Sequence, residues 1–355
     1  MSIPYYPLKL IKKEFETEKT CSFYFKVPED HKKLFQYKTA QFLTFRFYIQ
    51  GKEYIRSYSL ASSPFLNENL MTTVGKVEQG VVSNYMLSEL KEGDTVESQI
   101  PLGEFFHLPK DLKSKDFVLF AGGIGITPLF SILKTTLETG LARKIYLIFS
   151  IRSLKDFIYK KNLKELENKF KNQFQIKLII SESHGRLNPD KITKLLDNLE
   201  PTKTCFYLCG PKDYMTMISK HLLKLGNHKN SIYTEDFNII PIRGPKPDED
   251  SIIFNAKQSS EGEPKILKSF LNGEEIEIPL NREKSLLEQL IDQGYNPPFS
   301  CTSGSCMSCM ARLKEGKIFQ LQEGILDEEN IKNLEILSCQ CYPLSETVHI
   351  DYDNL

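Results

Sequence analysis

Four cysteines near the C-terminal end set the strongest constraint on what this chain can fold into. Cys301, Cys306 and Cys309 lie in the segment CTSGSCMSC, and Cys339 follows in LSCQCYP. This order, C-x4-C-x2-C and then a distant cysteine, is the thiolate spacing of a plant-type 2Fe-2S cluster. Small residues in the loop leave backbone N–H groups free to approach the sulfurs. The spacing therefore predicts an iron-sulfur cluster that moves single electrons.

Two other uses of these cysteines compete with the cluster. Cys306, Cys309, Cys339 and Cys341 would make an all-thiolate zinc site and leave Cys301 unused. Disulfides need an oxidising compartment, whereas the opening residues MSIPYYPLKLIKKEFE have no apolar segment typical of a secretory signal, so a cytoplasmic location is expected. Spacing alone does not rank Cys339 against Cys341 as a fourth ligand.

Length and charge bound the remaining possibilities. A chain of 355 residues with 40% hydrophobic content is too long for one ordinary core, so two or three domains are expected. Lys plus Arg equals Asp plus Glu at 46 each, so no basic excess indicates a nucleic-acid partner. The longest uncharged stretch, FVLFAGGIGITPLFSIL, is short and broken by glycines and a proline, so no membrane span is predicted.

The first two parts of the chain differ in the periodicity of their hydrophobic residues. Residues 1–109 show short alternating segments such as QFLTFRFYI between glycine turns, a pattern that predicts antiparallel strands closing into a β-barrel. Residues 110–237 alternate apolar strands with single helices, which requires right-handed crossovers and predicts a parallel α/β sheet. Ligands of such sheets bind at the carboxyl ends of the strands.

The rest of the chain is predicted to form a linker and a small third domain. Residues 238–262 carry prolines and acids with little periodicity, so we assign them chiefly to a linker that hides one short strand, SIIF. Residues 263–355 place a hairpin with Asn272-Gly273 at its turn before a helix, the cysteine loop and a closing strand, the order of a β-grasp fold. The predicted fold class is multidomain: antiparallel β-barrel, α/β parallel sheet and β-grasp.

Two segments of the first domain combine groups that suit an anionic aromatic ligand. In RSYSL, strand alternation presents Arg56 and Tyr58 on one side, although a barrel edge with a surface ion pair fits this string too. Ser83 and Asn84 follow Gly80 just before an apolar helix pattern. A helix start with free N–H groups suits a pyrophosphate, and a simple helix cap is the alternative.

The second domain carries a glycine-rich turn between a strand and a helix. In AGGIGITP, Gly123 and Gly125 permit a tight turn and a close approach to a nucleotide, while Thr127 can cap the helix. A proline stands where the dinucleotide fingerprint has its last glycine, so a purely structural turn is the alternative. LCGP ends a later strand at Cys209, which we expect beside the glycine turn.

The motifs RSYSL, GVVSN, PLGEF, AGGIGITP, LCGP and TEDF, in this order, resemble the ferredoxin-NADP reductase superfamily. With the C-terminal cysteine segment, nearly the whole chain is similar to the three-domain reductases of bacterial oxygenases. The resemblance implies an NAD(P)H:acceptor oxidoreductase with flavin, nicotinamide and ferredoxin domains. Electrons would pass from NADPH or NADH through FAD and a 2Fe-2S cluster to a partner redox protein such as an oxygenase or desaturase.

The same resemblance implies roles for individual residues. The flavin contacts would be Arg56, Tyr58, Ser59, Ser83 and Asn84, with Glu235 and Phe237 closing over the flavin. The nucleotide path would follow Gly123, Gly125 and Thr127, and Cys209 and Gly210 would border the position of hydride transfer. The catalytic set would be Ser59, Cys209 and Glu235. The family pattern L-[ST]-C-x-[AC]-x-P makes Cys339 the fourth cluster ligand, after Cys301, Cys306 and Cys309.

Some positions depart from the family pattern or leave a choice open. Met307 replaces a small residue between two cluster ligands, Ala40 stands where glycine is usual, and Cys341 adds a nearby thiol. After the second strand of the α/β domain, Arg152 and Ser153 slightly favour the 2′-phosphate of NADPH, with an exposed loop arginine as the equal alternative.

Two other classes of protein are alternatives to the reductase. One is an electron-transfer module that binds flavin and cluster but does not use nicotinamide directly, in which the glycine turns are structural. The intact CGP sequence argues against it. The other is a zinc-stabilised interaction protein, which would be colourless, whereas flavin and iron-sulfur proteins are yellow to brown.

Overall fold

The computed structural model describes residues 4–103, 105–106, 115–235, 237, 247, 251–256, 262–295, 297–299, 304, 307–321 and 326–355. The chain divides into a first unit, Tyr5–Asn238, and a second that begins at Ile239. Among the described residues, the first unit contains two sheets and the second contains one.

The first sheet is antiparallel and closes on itself. Its strands are β1 (Tyr6–Thr17), β2 (Thr20–Lys26), β3 (Phe42–Ile49), β4 (Lys52–Ser59), β5 (Leu70–Gly75) and β6 (Thr95–Ser98), and α1 (Val81–Ser88) lies between β5 and β6. The strand order is β4-β3-β6-β1-β2-β5. A bridge between Leu60 and Thr72 brings the chain after β4 against β5, so the two ends of the order meet. The predicted β-barrel is confirmed.

Alternating side chains build the core of this barrel. On β1, Leu8 and Leu10 are fully buried while Lys9 between them is exposed. The rings of Phe25 and Phe45 meet in the interior with centroids 5.1 Å apart. Burial of each such side chain contributes about 1.5–3 kcal/mol to the stability of the fold. A slip of one residue in strand register would turn all of these side chains to the outside, so the alternation fixes the register.

The second sheet is parallel throughout, as predicted. Its strands are β7 (Asp116–Gly122), β8 (Lys144–Ile151), β9 (Phe174–Ile180), β10 (Thr204–Cys209) and β11 (Ile232–Glu235). The helices between them are α2 (Ile126–Thr139), α3 (Lys160–Lys169), α4 (Ser181–His184), α5 (Pro189–Leu196) and α6 (Lys212–Lys224). The order is β11-β10-β7-β8-β9.

This order fixes where a ligand can enter. The chain starts at the central strand β7, runs through β8 to the edge strand β9, and returns to β10 on the other side of β7. A crevice therefore opens between the carboxyl ends of β7 and β10, where the direction of winding reverses. No helix in the described part of the chain is long and apolar enough to cross a bilayer.

Helix α2 joins the parallel sheet to the barrel through buried polar contacts. The hydroxyl of Ser131 donates to the carbonyl of Ser62 at 2.6 Å, and that of Thr135 lies 2.7 Å from the Ser63 hydroxyl. Lys134 pairs with Glu68 at 2.7 Å. Burial lowers the pKa of Lys134, and the carboxylate opposes that shift. The barrel and the sheet thus share one hydrogen-bonded interface.

A second polar link runs through Tyr159, which is 1% exposed. Its hydroxyl donates to Thr73 on β5 at 2.5 Å, and its backbone N–H donates to Glu16 on β1 at 3.2 Å. Ser22 closes the ring, since its hydroxyl donates to Glu16 at 2.7 Å and lies 2.8 Å from the Thr73 hydroxyl. Burial raises the pKa of Glu16. Tyr159 has a φ of 56°, so this backbone is held in a conformation that side chains disfavour.

The second unit has the β-grasp order that the sequence predicts. Its strands are β12 (Ile252–Ala256), β13 (Ile266–Leu271), β14 (Glu274–Pro279), β15 (Met310–Gln320), β16 (Glu335–Leu337), β17 (Cys341–Pro343) and β18 (Thr347–Asp351), with helices α7 (Leu286–Asp292) and α8 (Glu328–Lys332). The order is β12-β15-β18-β13-β14, and β16 and β17 also pair with β15. β13 and β18 are parallel, whereas the other pairs are antiparallel.

Two local features of this unit follow from the sequence. Asn272 and Gly273 have φ values of 56° and 82°, as the tight hairpin turn between β13 and β14 requires. The short strand expected within SIIF is present as β12. Its pairing with β15 makes it an edge of the β-grasp sheet, so this sheet begins before residue 263.

Candidate redox sites

Three residues far apart in sequence meet where the barrel adjoins the parallel sheet. Ser59 is the last residue of β4, Cys209 the last of β10 and Glu235 the last of β11. Cys209 and Glu235 are direct neighbours across the pairing of β10 with β11. The hydroxyl of Ser59 donates to Oε1 of Glu235 at 3.4 Å. The structure thus joins the hydroxyl of Ser59 to the carboxylate of Glu235 and sets the backbone of Cys209 beside that of Glu235.

Strand β4 carries the two other side chains singled out in RSYSL. The Arg56 guanidinium is exposed and donates to the carbonyl of Ile55 at 2.7 Å. It pairs with no carboxylate among the described residues. The ring of Tyr58 lies 6.2 Å from that of Phe45. Burial raises the pKa of Tyr58 to about 12, so its hydroxyl stays protonated at neutral pH. A cation and a neutral aromatic edge suit an anionic, ring-bearing cofactor.

The start of α1 is folded tightly by its own side chains. The hydroxyl of Ser83 accepts a hydrogen bond from the Val77 N–H at 3.2 Å. The amide of Asn84 donates to the carbonyls of Val77 and Gly80, at 3.2 and 2.6 Å. A Cβ on Gly80 would lie 2.7 Å from Oγ of Ser83, so glycine is required there. These bonds fix the loop, and the first-turn N–H groups of the helix are the donors suited to a phosphate.

The glycines at the carboxyl ends of β7 and β10 have different tasks. A Cβ on Gly125 would lie 2.2 Å from the carbonyl oxygen of Cys209, and one on Gly210 would lie 3.0 Å from Cα of Gly122. These glycines let the two strand ends touch. Gly123 differs, because it has a φ of 55° and a Cβ there would meet nothing within 4 Å. The open space lies above Gly123, at the crevice that the sheet order defines. Cys209 lies beside this turn, as predicted, and is fully buried.

The prediction that Thr127 caps α2 is wrong. The N-cap position is Gly125, and no side chain caps the helix. Thr127 lies in the first turn, 2% exposed, and its hydroxyl donates to the carbonyl of Ile124 at 2.8 Å. The Thr127 hydroxyl bonds to the glycine turn that precedes α2, because the backbone bends at Gly123 and Gly125 and the helix has already begun at Thr127. Phe237, which the family resemblance places over the flavin, is 38% exposed.

A shallow cavity of about 170 Å³ lies near the carboxyl end of β8. Arg152, Ser153 and Glu182 are among its lining residues. Nε of Arg152 donates to Oε1 of Glu182 at 2.9 Å, and the Ser153 hydroxyl donates to Asp156 at 2.9 Å. Both groups that slightly favour NADPH in the sequence therefore already have acidic partners here.

In the second unit, strand pairing brings two of the predicted cluster ligands together. Cys309 directly precedes β15, and Cys339 follows β16, which pairs with β15 through Met310 and Leu337. The carbonyl of Cys309 accepts hydrogen bonds from the N–H and the hydroxyl of Ser338, at 3.1 and 2.8 Å. Cys301 and Cys306 lie outside the described residues. The described half of the ligand set fits a thiolate-bound cluster.

Cys341 has a different environment from Cys339. Its thiol is fully buried and donates to Oε1 of Gln320 at 3.4 Å. That oxygen also accepts from the N–H of Leu337 at 2.7 Å. Burial raises the pKa of Cys341 well above its usual range. Cys341 is thus placed as a small core residue, the position that the family pattern gives it.

Two of the three departures from the family pattern share one backbone property. Ala40 has a φ of 61° and Met307 a φ of 58°, both in the left-handed region. Glycine adopts this region without strain, which explains why glycine is usual at the position of Ala40. Met307 lies partly buried against the core of the second unit.

The chain matches the families of three cofactor domains of oxidoreductases. It matches the oxidoreductase FAD-binding domain over residues 7–107, the oxidoreductase NAD-binding domain over 119–220 and the 2Fe-2S iron-sulfur cluster binding domain over 269–344. An electron-transfer module that does not use nicotinamide would not account for the NAD-binding domain. A zinc-stabilised interaction protein would account for none of the three matched domains. The fold and the sites define an NAD(P)H-dependent oxidoreductase that carries FAD and a 2Fe-2S cluster.

Relatives narrow the class. The chain is 30% identical over 338 residues to the ferredoxin reductase component of 3-ketosteroid-9-alpha-monooxygenase from Rhodococcus rhodochrous, covering 95% of this chain and 94% of the relative. It is 27% identical to a component of the 1,2-phenylacetyl-CoA epoxidase from Escherichia coli (strain K12), covering 98% of both. The structure of phthalate dioxygenase reductase shares the fold, with a TM-score of 0.61, 24% identity and 98% coverage of both chains. The chain belongs to the family of three-domain ferredoxin reductases with a C-terminal 2Fe-2S domain.

Proposed function

We propose that hydride enters this reductase at the site formed by Ser59, Cys209 and Glu235. The observation that carries the proposal is their convergence: Ser59 hydrogen-bonds Glu235 at 3.4 Å, and Glu235 pairs with Cys209 across neighbouring strands. The crevice between β7 and β10 opens beside Cys209. A nicotinamide seated there lies against a flavin held by the barrel, so the protein's main contribution is orientation.

The chain's own residues hold the flavin in this proposal. Arg56 binds the pyrophosphate, the N–H groups at the start of α1 add donors to it, and the Tyr58 ring packs against the flavin. Ser83 and Asn84 act by fixing the loop that precedes α1, because their side chains already bond to it. With a flavin bound, the Ser59 hydroxyl would turn its single hydrogen from Glu235 to the reactive nitrogen of the flavin, and Glu235 and Phe237 would close over the ring.

The nucleotide follows the glycine turn to the cavity beyond β8. Gly123 offers open space for the dinucleotide, while Gly125, Gly210 and the first turn that contains Thr127 shape the turn beneath it. NADPH differs from NADH only in its 2′-phosphate, and Arg152 is a cation placed to meet that group. Glu182 already pairs with Arg152, so it competes with the phosphate. This competition lowers the affinity for NADPH.

Cys301, Cys306, Cys309 and Cys339 ligate the cluster in this proposal. Support comes from the pairing that places Cys309 beside Ser338, and from Cys341, whose thiol is turned to Gln320. Bound FAD would supply the conversion between the two-electron hydride of the nicotinamide and the single electrons that a 2Fe-2S cluster carries. We propose an oxygenase as the final acceptor, since the relatives named above are components of a monooxygenase and an epoxidase. A reducing cytoplasm suits cysteines that, within the described residues, form no disulfide.

An anaerobic titration tests this function. The purified full-length chain is titrated separately with NADH and NADPH while flavin and iron-sulfur absorbance are followed together. Bleaching of both chromophores by one nucleotide is the expected result and names the preferred donor. Flavin that stays oxidised with both nucleotides would contradict the hydride site. Flavin bleaching without cluster reduction would contradict the assigned ligands, Cys339 first.

A further inference from the structure

A buried chain of hydrogen bonds leads from the C-terminal segment to the backbone of Cys309. The hydroxyl of Tyr352 donates to Oγ of Ser338 at 2.8 Å. The hydroxyl of Ser338 in turn donates to the carbonyl of Cys309 at 2.8 Å. Tyr352 is 7% exposed, Ser338 is fully buried and Cys309 is 1% exposed. Water therefore does not compete with these bonds.

The segment around Tyr352 is fixed on both sides, although chain ends commonly fray. The N–H of Tyr352 donates to the carbonyl of Phe270 on β13 at 3.0 Å. The carboxylate of Asp351 accepts from the backbone N–H of Asp353 and Asn354, at 2.9 and 3.1 Å. Asp353 itself accepts from the N–H of Gly273 in the hairpin turn at 2.7 Å. The phenol of Tyr352 is thus held in place by the sheet.

The direction of the chain gives it an electrostatic effect. Both hydroxyl hydrogens point toward Cys309, so the positive ends of the two dipoles face the cysteine. In a buried chain each donor strengthens the next, and the Tyr352 bond makes the Ser338 hydroxyl a better donor to the Cys309 carbonyl. Hydrogen bonds and dipoles near a cluster set its reduction potential, and positive dipole ends favour the reduced, more negative form.

We propose that Tyr352 is a positioning residue for the iron-sulfur cluster, acting through Ser338 on the main chain that carries Cys309. The proposal rests on Cys309 being a cluster ligand. It assigns Tyr352 a role in setting the cluster's potential. Removing its hydroxyl leaves the thiolate ligands unchanged but weakens the donor to Cys309, so the reduced cluster is destabilised.

The test compares Tyr352→Phe with a matched variant in the same unit. Tyr342 is 2% exposed and its ring stacks on Phe319 at 5.5 Å. Its hydroxyl has no hydrogen bond within the described part of the chain, so Tyr342→Phe removes a tyrosine hydroxyl outside the relay. For the full-length wild type and both variants, iron content, the electron paramagnetic resonance spectrum of the reduced protein and the cluster midpoint potential are measured.

We expect Tyr352→Phe to keep its iron and to shift its spectrum and potential. The ratio of reduced to oxidised cluster at a fixed potential should fall about threefold, a midpoint lower by about 28 mV at 59 mV per tenfold change for one electron. Tyr342→Phe should match the wild type. A Tyr352→Phe potential equal to that of the wild type would overturn the proposal.

Ser338→Ala completes the experiment, because it removes the same relay at its second step. Its potential should fall as well, and adding Tyr352→Phe to it should change nothing further. Full additivity in the double variant would contradict the relay. If Tyr352→Phe loses its iron, the cluster midpoint potential of Ser338→Ala tests the relay instead. A lowered potential in Ser338→Ala supports the relay, and an unchanged potential overturns it. A wild type without a cluster would instead overturn the ligand assignment, and the relay with it.

Discussion

Ser59 and Glu235 stand 176 positions apart in the chain, yet the hydroxyl of one donates to the carboxylate of the other at 3.4 Å. One residue ends a strand of the barrel and the other ends a strand of the parallel sheet. The contact can form only when the two sheets are correctly joined. The hydrogen bonds of α2 and Tyr159 join them, so the stability of that interface and the geometry of the hydride site are linked.

Gly125→Ala should be strongly destabilising. The added Cβ would lie 2.2 Å from the carbonyl oxygen of Cys209, and only a shift of backbone can relieve that overlap. We expect a loss of about 3 kcal/mol in the free energy of unfolding, measured by urea denaturation. Gly123→Ala is the control, since its Cβ meets nothing and the left-handed φ costs only about 1 kcal/mol. Equal losses for the two variants would be inconsistent with the contact between strand ends.

Gly123→Ala should act on the nucleotide instead. Its Cβ would project into the open space at the crevice, where the proposal seats the dinucleotide. We expect the KM for the nicotinamide nucleotide to rise about tenfold with the flavin still bound, which steady-state kinetics with an artificial acceptor would measure. An unchanged KM would place the nucleotide elsewhere.

Glu182→Gln should shift the preference between the two nucleotides. Removing the carboxylate frees Arg152 for the 2′-phosphate, and an exposed pair of this kind is worth up to about 1 kcal/mol. The ratio of kcat/KM for NADPH to that for NADH should therefore rise about fivefold. Glu165→Gln, an exposed acid on α3, makes the same change of charge and should leave the ratio unaltered. If the ratio of the two kcat/KM values is the same in Glu182→Gln as in the wild type, Arg152 does not take part in nucleotide recognition.

Cys339→Ala and Cys341→Ala should have opposite effects on the cluster. Cys339→Ala removes a proposed ligand, so iron content and visible absorbance should be lost. Cys341→Ala removes a buried thiol bonded to Gln320, so it should keep the cluster and lower the free energy of unfolding by about 1–2 kcal/mol. Loss of iron in Cys341→Ala with retention in Cys339→Ala would reverse the assignment.

Tyr159→Phe tests the link between the barrel and the parallel sheet. The variant leaves the Thr73 hydroxyl without its donor in a buried ring of bonds, and we expect a loss of about 1–2 kcal/mol in stability. Thermal unfolding measures the change. Tyr48→Phe is the control, because Tyr48 is 64% exposed and its bond to Glu53 lies at the surface. A loss of stability in Tyr48→Phe as large as that in Tyr159→Phe would show that the buried hydrogen bonds of Tyr159 contribute no more than a surface bond.

Local signals made much of this fold predictable. The turn predicted at Asn272-Gly273 is one example, because asparagine and glycine adopt the left-handed backbone that such a turn requires. The end of α2 at Gly140, with a φ of 64°, depends on the same property of glycine. The position of Cys209 beside the glycine turn followed from topology, since parallel strands meet at one edge.

Other features depend on contacts that a linear pattern does not contain. No sequence pattern indicates that the ring of Tyr159 is buried and that its hydroxyl reaches β5. Tyr352 reads as the end of an alternating strand, and only the sheet places it over Ser338. Thr127 misled because a hydroxyl near a helix start usually caps it, whereas the glycine bend already occupies that position.

The most direct test of the account is an anaerobic single-turnover experiment on Ser59→Ala. In rapid mixing with the preferred nucleotide, flavin reduction should slow about 100-fold, because the hydroxyl donor to the flavin's reactive nitrogen is lost. The later transfer of electrons to the cluster should keep its rate. Ser57→Ala, whose hydroxyl lies 2.9 Å from that of Thr44, should resemble the wild type in both phases. Flavin reduction at the wild-type rate in Ser59→Ala would contradict a hydride site built around Ser59, Cys209 and Glu235.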